Sequence, residues 1–102
     1  TYLEAARKLA ERSLREAGPD ATKRIRHMFR LATARYPNAQ ELKLLSLTTE
    51  AQLSEYKANP EAARKLIQTG ESKVEAKDPI ELATWMSIAS AILNLDEVLT
   101  KE

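Results

Sequence analysis

Fourteen consecutive residues near the end of the chain, Leu82 to Leu95 (LATWMSIASAILNL), carry no charge. Their only polar members are Thr84, Ser87, Ser90 and Asn94, so apolar side chains cover most of the circumference of a helix built from them. Such a helix has to be buried on several sides, and the rest of a 102-residue chain has to supply the cover. The stretch Asp78-Pro79-Ile80-Glu81 marks its start: an N-cap, a proline at the first helical position where no N–H is needed, and a glutamate at N3. The run falls short of the roughly 18 apolar residues that a membrane span needs.

The other segments read as helices that could supply that cover. From Tyr2 to Ala17 the residues Tyr2, Leu3, Ala6, Leu9, Ala10, Leu14 and Ala17 share one face, and Glu4, Arg7, Lys8, Glu11, Arg12, Arg15 and Glu16 the other. Gly18 suits the left-handed position that closes a helix, and Pro19 stops continuation. Asp20 caps a second helix whose inward face is Ala21, Ile25, Met28, Phe29, Ala32 and Tyr36, ending at Pro37. Asn38 and Glu41 form a capping box for a third helix reaching about Lys57. Its main face is Leu42, Leu45, Thr49, Gln52, Leu53 and Tyr56. Leu44, Leu47 and Ala51 make a second strip, as though two neighbours packed on it. Asn59-Pro60 opens a short fourth helix that stops at Gly70, and Glu71 to Lys77 reads as a polar loop. No strand-like alternation occurs. The fold expected is all-α, a four- to five-helix antiparallel bundle with short connections, in one domain over residues 1–102. A tetratricopeptide array needs a repeat near 34 residues, whereas the Pro37-Asn38 and Asn59-Pro60 corners lie about 23 apart and open dissimilar segments.

Charge and cysteine content restrict function. The net charge is +1, but residues 1–51 hold ten Lys/Arg against six Asp/Glu, and residues 52–102 hold six against nine. The chain is dipolar and not a polycation. With no cysteine, thiolate metal sites, a cysteine nucleophile and covalent c-type haem attachment are excluded within this segment. No nucleophile elbow, Walker loop, dinucleotide fingerprint or zincin motif is present, so no catalytic, cofactor-binding or metal-ligating residue is assigned. The chain begins with Thr1 and not methionine, which suggests the C-terminal piece of a larger protein.

The stretch KRIRHMFR, Lys23 to Arg30, invites a nucleic-acid reading. Helical spacing turns Ile25, Met28 and Phe29 inward and leaves Lys23, Arg26, His27 and Arg30 on the opposite face, with Arg24 at its edge. Asp20 can pair with Lys23 or Arg24. Phosphate tracking uses several unpaired cations, often with aromatic residues among them, and Phe29 faces away. We read the stretch as the solvated side of an amphipathic helix, with docking of an acidic partner and nucleic-acid binding as alternatives. His27 lacks the further ligands a metal needs. Among carboxylates, Glu71 with Glu75 and Asp96 with Glu97 are the candidate acid–base pairs; the first sits in the polar loop and the second follows the apolar run.

The last helix also carries a stripe of small, weakly polar side chains, Ser87, Ser90 and Asn94 with Ala83 and Ala91 beside them. It serves either close packing inside the domain or a docking seam, with Trp85 as an anchor.

Two blocks, RIRHMFRLATARYPNAQEL and ELATWMSIASAILNLDEVLTKE, resemble the C-terminal end of a domain-of-unknown-function family that closes large exported proteins of planctomycetes and related bacteria, behind cytochrome-c-like regions. The resemblance is carried by Arg35, Pro37, Glu41-Leu42, Trp85 and the run Leu93-Asn94-Leu95-Asp96-Glu97. Tyr36 and Val98 depart from the pattern. The resemblance implies an exported parent, periplasmic or at the cell surface, with haem held elsewhere in it and no cofactor in this segment. It implies no catalytic residue; Asn94, Asp96 and Glu97 enter as motif residues, expected to terminate and brace the last helix. The function expected is a non-catalytic helical domain for packing or protein contact, with the remainder of the parent protein as partner. The alternative is a supporting domain of a redox or polysaccharide-processing enzyme whose catalytic residues lie upstream.

Overall fold

The computed structural model describes the backbone of residues 2–68 and 78–100, with side chains for 4–68 and 78–95. Five helices follow in order: α1 (Tyr2–Glu16), α2 (Ala21–Thr33), α3 (Ala39–Ala58), α4 (Pro60–Ile67) and α5 (Pro79–Thr100). No strand occurs among the described residues. The Cα radius of gyration is 12.9 Å, close to the ~13 Å usual for a domain of this length.

The starts of α2, α3, α4 and α5 are each made by a side chain that satisfies amide groups the first turn leaves unbonded. Asp20 accepts from the Lys23 amide at 3.0 Å. Asn38 accepts from the Glu41 amide at 2.8 Å while the Glu41 carboxylate accepts from the Asn38 amide at 2.9 Å, a complete capping box. Asn59 accepts from Ala62 and Asp78 from Glu81. Gly18, after α1, has φ +76°, the left-handed conformation that costs glycine nothing. Ala34 takes the same region, φ 64°, after α2, and its amide donates to the Arg30 carbonyl. The Gly70 stop and the Glu71 to Lys77 loop lie outside the described residues.

The helix that holds the uncharged run is the axle. α5 packs against all four other helices. Leu82, Ala83, Met86, Ile88, Ala89 and Ile92 are buried, meeting Ala6 and Ala10 of α1, Ile25, Met28 and Phe29 of α2, Leu45 of α3, and Ala63 and Ile67 of α4. At about 25 cal/mol per Å² this burial is the main stabilising term.

Two arginines depart from the sequence expectation. Arg7, expected on the polar face of α1, is 4% exposed, and its Nη1 donates to the Ile67 carbonyl at 3.4 Å. Arg24, expected at the edge of a solvated face, is 8% exposed. Its Nε donates to the Gly18 carbonyl at 2.6 Å, and its guanidinium lies 5.4 Å from the Trp85 ring centroid. Both cations have turned to the C-terminal end of another helix, α4 and α1 respectively, where carbonyls lack intrahelical partners and the dipole is negative. Ser13, also buried, donates to the Arg24 carbonyl at 3.3 Å. The expected arrest of α5 near Asn94–Glu97 does not occur, since the helix runs on to Thr100. No glycine or proline follows Asp78-Pro79, and Leu, Glu and Val all continue a helix at small cost.

Candidate interaction surface

α3 is apolar on two sides, and the structure uses one. At about 100° per residue, Leu42, Leu45, Thr49 and Tyr56 centre on the inward direction, with Leu45 and Thr49 buried. Leu44, Leu47 and Ala51 centre roughly 150° further round. The second neighbour expected for this strip is not found among the described residues: Leu44 is 65% exposed and Leu47 55%. Ala51 is exposed as well. The reason is the shape of the bundle. α5 occupies the middle, α3 stands at its periphery, and a peripheral helix has a side that faces water.

Beside the strip lies a groove of about 250 Å³, lined by Glu41, Leu44, Leu45, Thr48, Ala91 and Leu95. It joins the outer side of α3 to the exposed Ala91 of α5 and is walled mostly by hydrocarbon. Contiguous exposed apolar surface with a polar rim is the usual mark of a contact surface. The rim here is Lys43 and Glu50, both exposed.

The residues singled out from the sequence are distributed as follows. Trp85 is buried at 5% exposure beneath Arg24. The Ser87 hydroxyl lies 3.0 Å from the Tyr56 hydroxyl and also donates to the Ala83 carbonyl. Ser90 is half-buried and, with Tyr56, Leu66, Met86 and Ser87, lines a cavity of about 230 Å³. Asn94 is exposed. The stripe thus begins against α3 and α4 and ends at the surface next to the groove. The Asp96 and Glu97 side chains, and the Glu71/Glu75 pair, lie outside the described residues.

Arg35 and Pro37 sit at the α2–α3 corner. The Arg35 guanidinium meets the Glu41 carboxylate in a two-pronged pair, Nη1 to Oε1 and Nη2 to Oε2, each 2.9 Å. It also stacks 4.8 Å from the Phe29 ring centroid and donates to the Tyr36 carbonyl. The arginine hydrogen bonds hold the Glu41 carboxyl down at about 2, assisted by the Asn38 amide and opposed by partial burial. The Arg35 pKa is raised by the same pair. The Phe29 ring is consumed by core and corner together.

Of the cationic stretch, Lys23, Arg26 and Arg30 are exposed and Arg24 is withdrawn. His27 finds a partner on α1: its Nε2 lies 2.8 Å from a Glu16 carboxylate oxygen. That contact and Arg12 hold the Glu16 pKa below its ordinary value. Arg24 also opens on a cleft of about 410 Å³ with Trp85, Glu50, Lys57, Asp78 and Glu81. The arginine is already engaged there by Gly18, Trp85 and, at 3.7 Å, Glu81. Among the described residues no group of three or more His, Cys, Asp or Glu side chains is placed to hold a metal ion. No helix among them is long and apolar enough to cross a membrane.

No protein-family model, no curated protein and no solved structure matches the chain.

Proposed function

We propose that this chain is a non-catalytic helical interaction domain that docks through the outer side of α3 and the adjoining α3–α5 groove. The observation that carries the reading is the pair Leu44 and Leu47, more than half exposed on a helix whose opposite side already serves the core. Burying two leucines of this exposure against another surface is worth several kcal/mol, whereas in water they contribute little to folding. The resemblance to the closing domain of exported, cytochrome-c-associated proteins supplies the context of the proposal: the domain braces a larger exported protein, and haem belongs to the part upstream.

A photo-reactive residue placed at Leu47, with Arg26 as a control position on exposed α2, tests the docking reading in cells that make the protein. Adducts of discrete mass from position 47 and none from position 26 are expected. No adduct from position 47, or the same adducts from both positions, contradicts it.

A further inference from the structure

We infer that the occupant of the outer α3 face is a second copy of this chain, seated antiparallel so that α3 pairs with α3 of the partner about a two-fold axis. The inference rests on the docking reading of that face and adds the identity of what covers it. Three observations support it.

The first is periodicity. Gln40, Leu44, Leu47, Ala51 and Ser54 follow one another at spacings of four, three, four and three residues, the repeat that keeps one seam facing a neighbouring helix. Leu44 and Leu47 stand at its centre, and smaller or polar side chains stand at both ends. An antiparallel match places each leucine against the other's counterpart and each Ala51 against a Gln40.

The second is charge. Lys43 and Glu50 lie seven residues apart on the same flank of the seam, about 10 Å along the axis. Neither has an ion pair among the described residues, and both are exposed. The same register, with its axis between residues 45 and 46, brings Lys43 of each copy within about 3 Å along the axis of Glu50 of the other, so one pair of residues makes two attractive contacts. This is the self-complementarity a two-fold interface requires. The parallel alternative brings Glu50 opposite Glu55 of the other copy on both sides, a like-charge arrangement that selects against it.

The third is extent. One helix face alone is small against the roughly 1,000 Å² that specific interfaces bury. The groove beside Leu44, walled by Ala91 and Leu95 of α5, widens the apolar area beyond α3. The dimer is therefore expected to be weak and dependent on concentration.

Sedimentation velocity of the whole chain over a concentration series tests this, with circular dichroism confirming that every variant is folded. The wild-type chain is expected to move from monomer to dimer as concentration rises. Lys43→Glu and Glu50→Lys should each weaken association at least about tenfold, since each replaces two attractive contacts by two repulsive ones. The double exchange K43E/E50K should restore it, an outcome that general loss of structure cannot produce. A chain that stays monomeric throughout, or a dimer indifferent to the single exchanges, or single exchanges that are not rescued by the double, overturns the inference. The photo-adducts from position 47 separate the two levels. A monomeric chain that still gives adducts with other proteins loses only the second-copy assignment; a monomeric chain that gives none loses the docking reading too.

Discussion

α5 is apolar nearly all round and α3 on two sides, yet these apolar faces have opposite fates. α5 is wrapped by four helices, and its Ile88, Ala89 and Ile92 are fully buried. α3 keeps one apolar side inside and leaves Leu44 and Leu47 in water. An apolar circumference therefore states how many faces a helix needs covered. It does not state whether the cover comes from the same chain. In α5 the hydrophobic surplus became the core; in α3 it became a surface with something left to bind.

That contrast can be attacked experimentally from the side where the effect is greatest. Ile88→Ala, at the centre of α5, removes fully buried methyl groups and should cost about 3 kcal/mol of unfolding free energy in urea. A loss under about 1 kcal/mol would mean that α5 is not the axle. Arg24→Ala removes the guanidinium that joins the end of α1 to Trp85 of α5. It should cost about 2 kcal/mol by leaving the Gly18 carbonyl without its donor and the ring without its cover. A neutral effect would return Arg24 to the edge of the solvated face, where helical spacing alone puts it.

The corner that starts α3 should respond to pH. Glu41 titrates at about 2 in the folded chain against 4.5 ordinarily. Its folded pKa is depressed, so its contribution is present above pH 4.5 and fades as pH falls toward 2. Because Arg35 is nearly half exposed, solvent screening reduces the value of the pair, and Glu41→Gln should cost about 1 kcal/mol at pH 7. The gap between wild type and variant should close on acidification. A gap that is constant from pH 7 to pH 3 would show that the carboxylate charge contributes nothing there.

Much of this was legible in the chain itself, and the limits have a physical pattern. Helix starts at Asp20, Asn38, Asn59 and Asp78 could be read because a cap is a contact between residues three apart. The burial of most of α5 could be read because fourteen residues without charge give it no charged side to turn to water. Arg7 and Arg24 could not, because their partners are carbonyls at the ends of other helices, Ile67 and Gly18. Nothing local distinguishes an arginine that will fold inward onto such an end from one that stays in water, as Arg26 does. The pairing of His27 with Glu16 was hidden for the same reason. The second apolar strip of α3 was visible as a pattern, but its exposure depends on where the bundle places that helix. The Asn94–Glu97 run suggested a helix end because short polar side chains compete for backbone bonds; flanking leucine and valine outweighed them.

The most direct test is the equilibrium urea unfolding of the double variant Leu44→Ser/Leu47→Ser, at a protein concentration low enough that self-association adds nothing to stability. If the outer side of α3 is surplus to the core, the unfolding free energy stays within about 0.5 kcal/mol of wild type. A loss approaching the several kcal/mol expected for buried leucines would show that the strip belongs to the fold, and that no face of α3 is held in reserve for a partner.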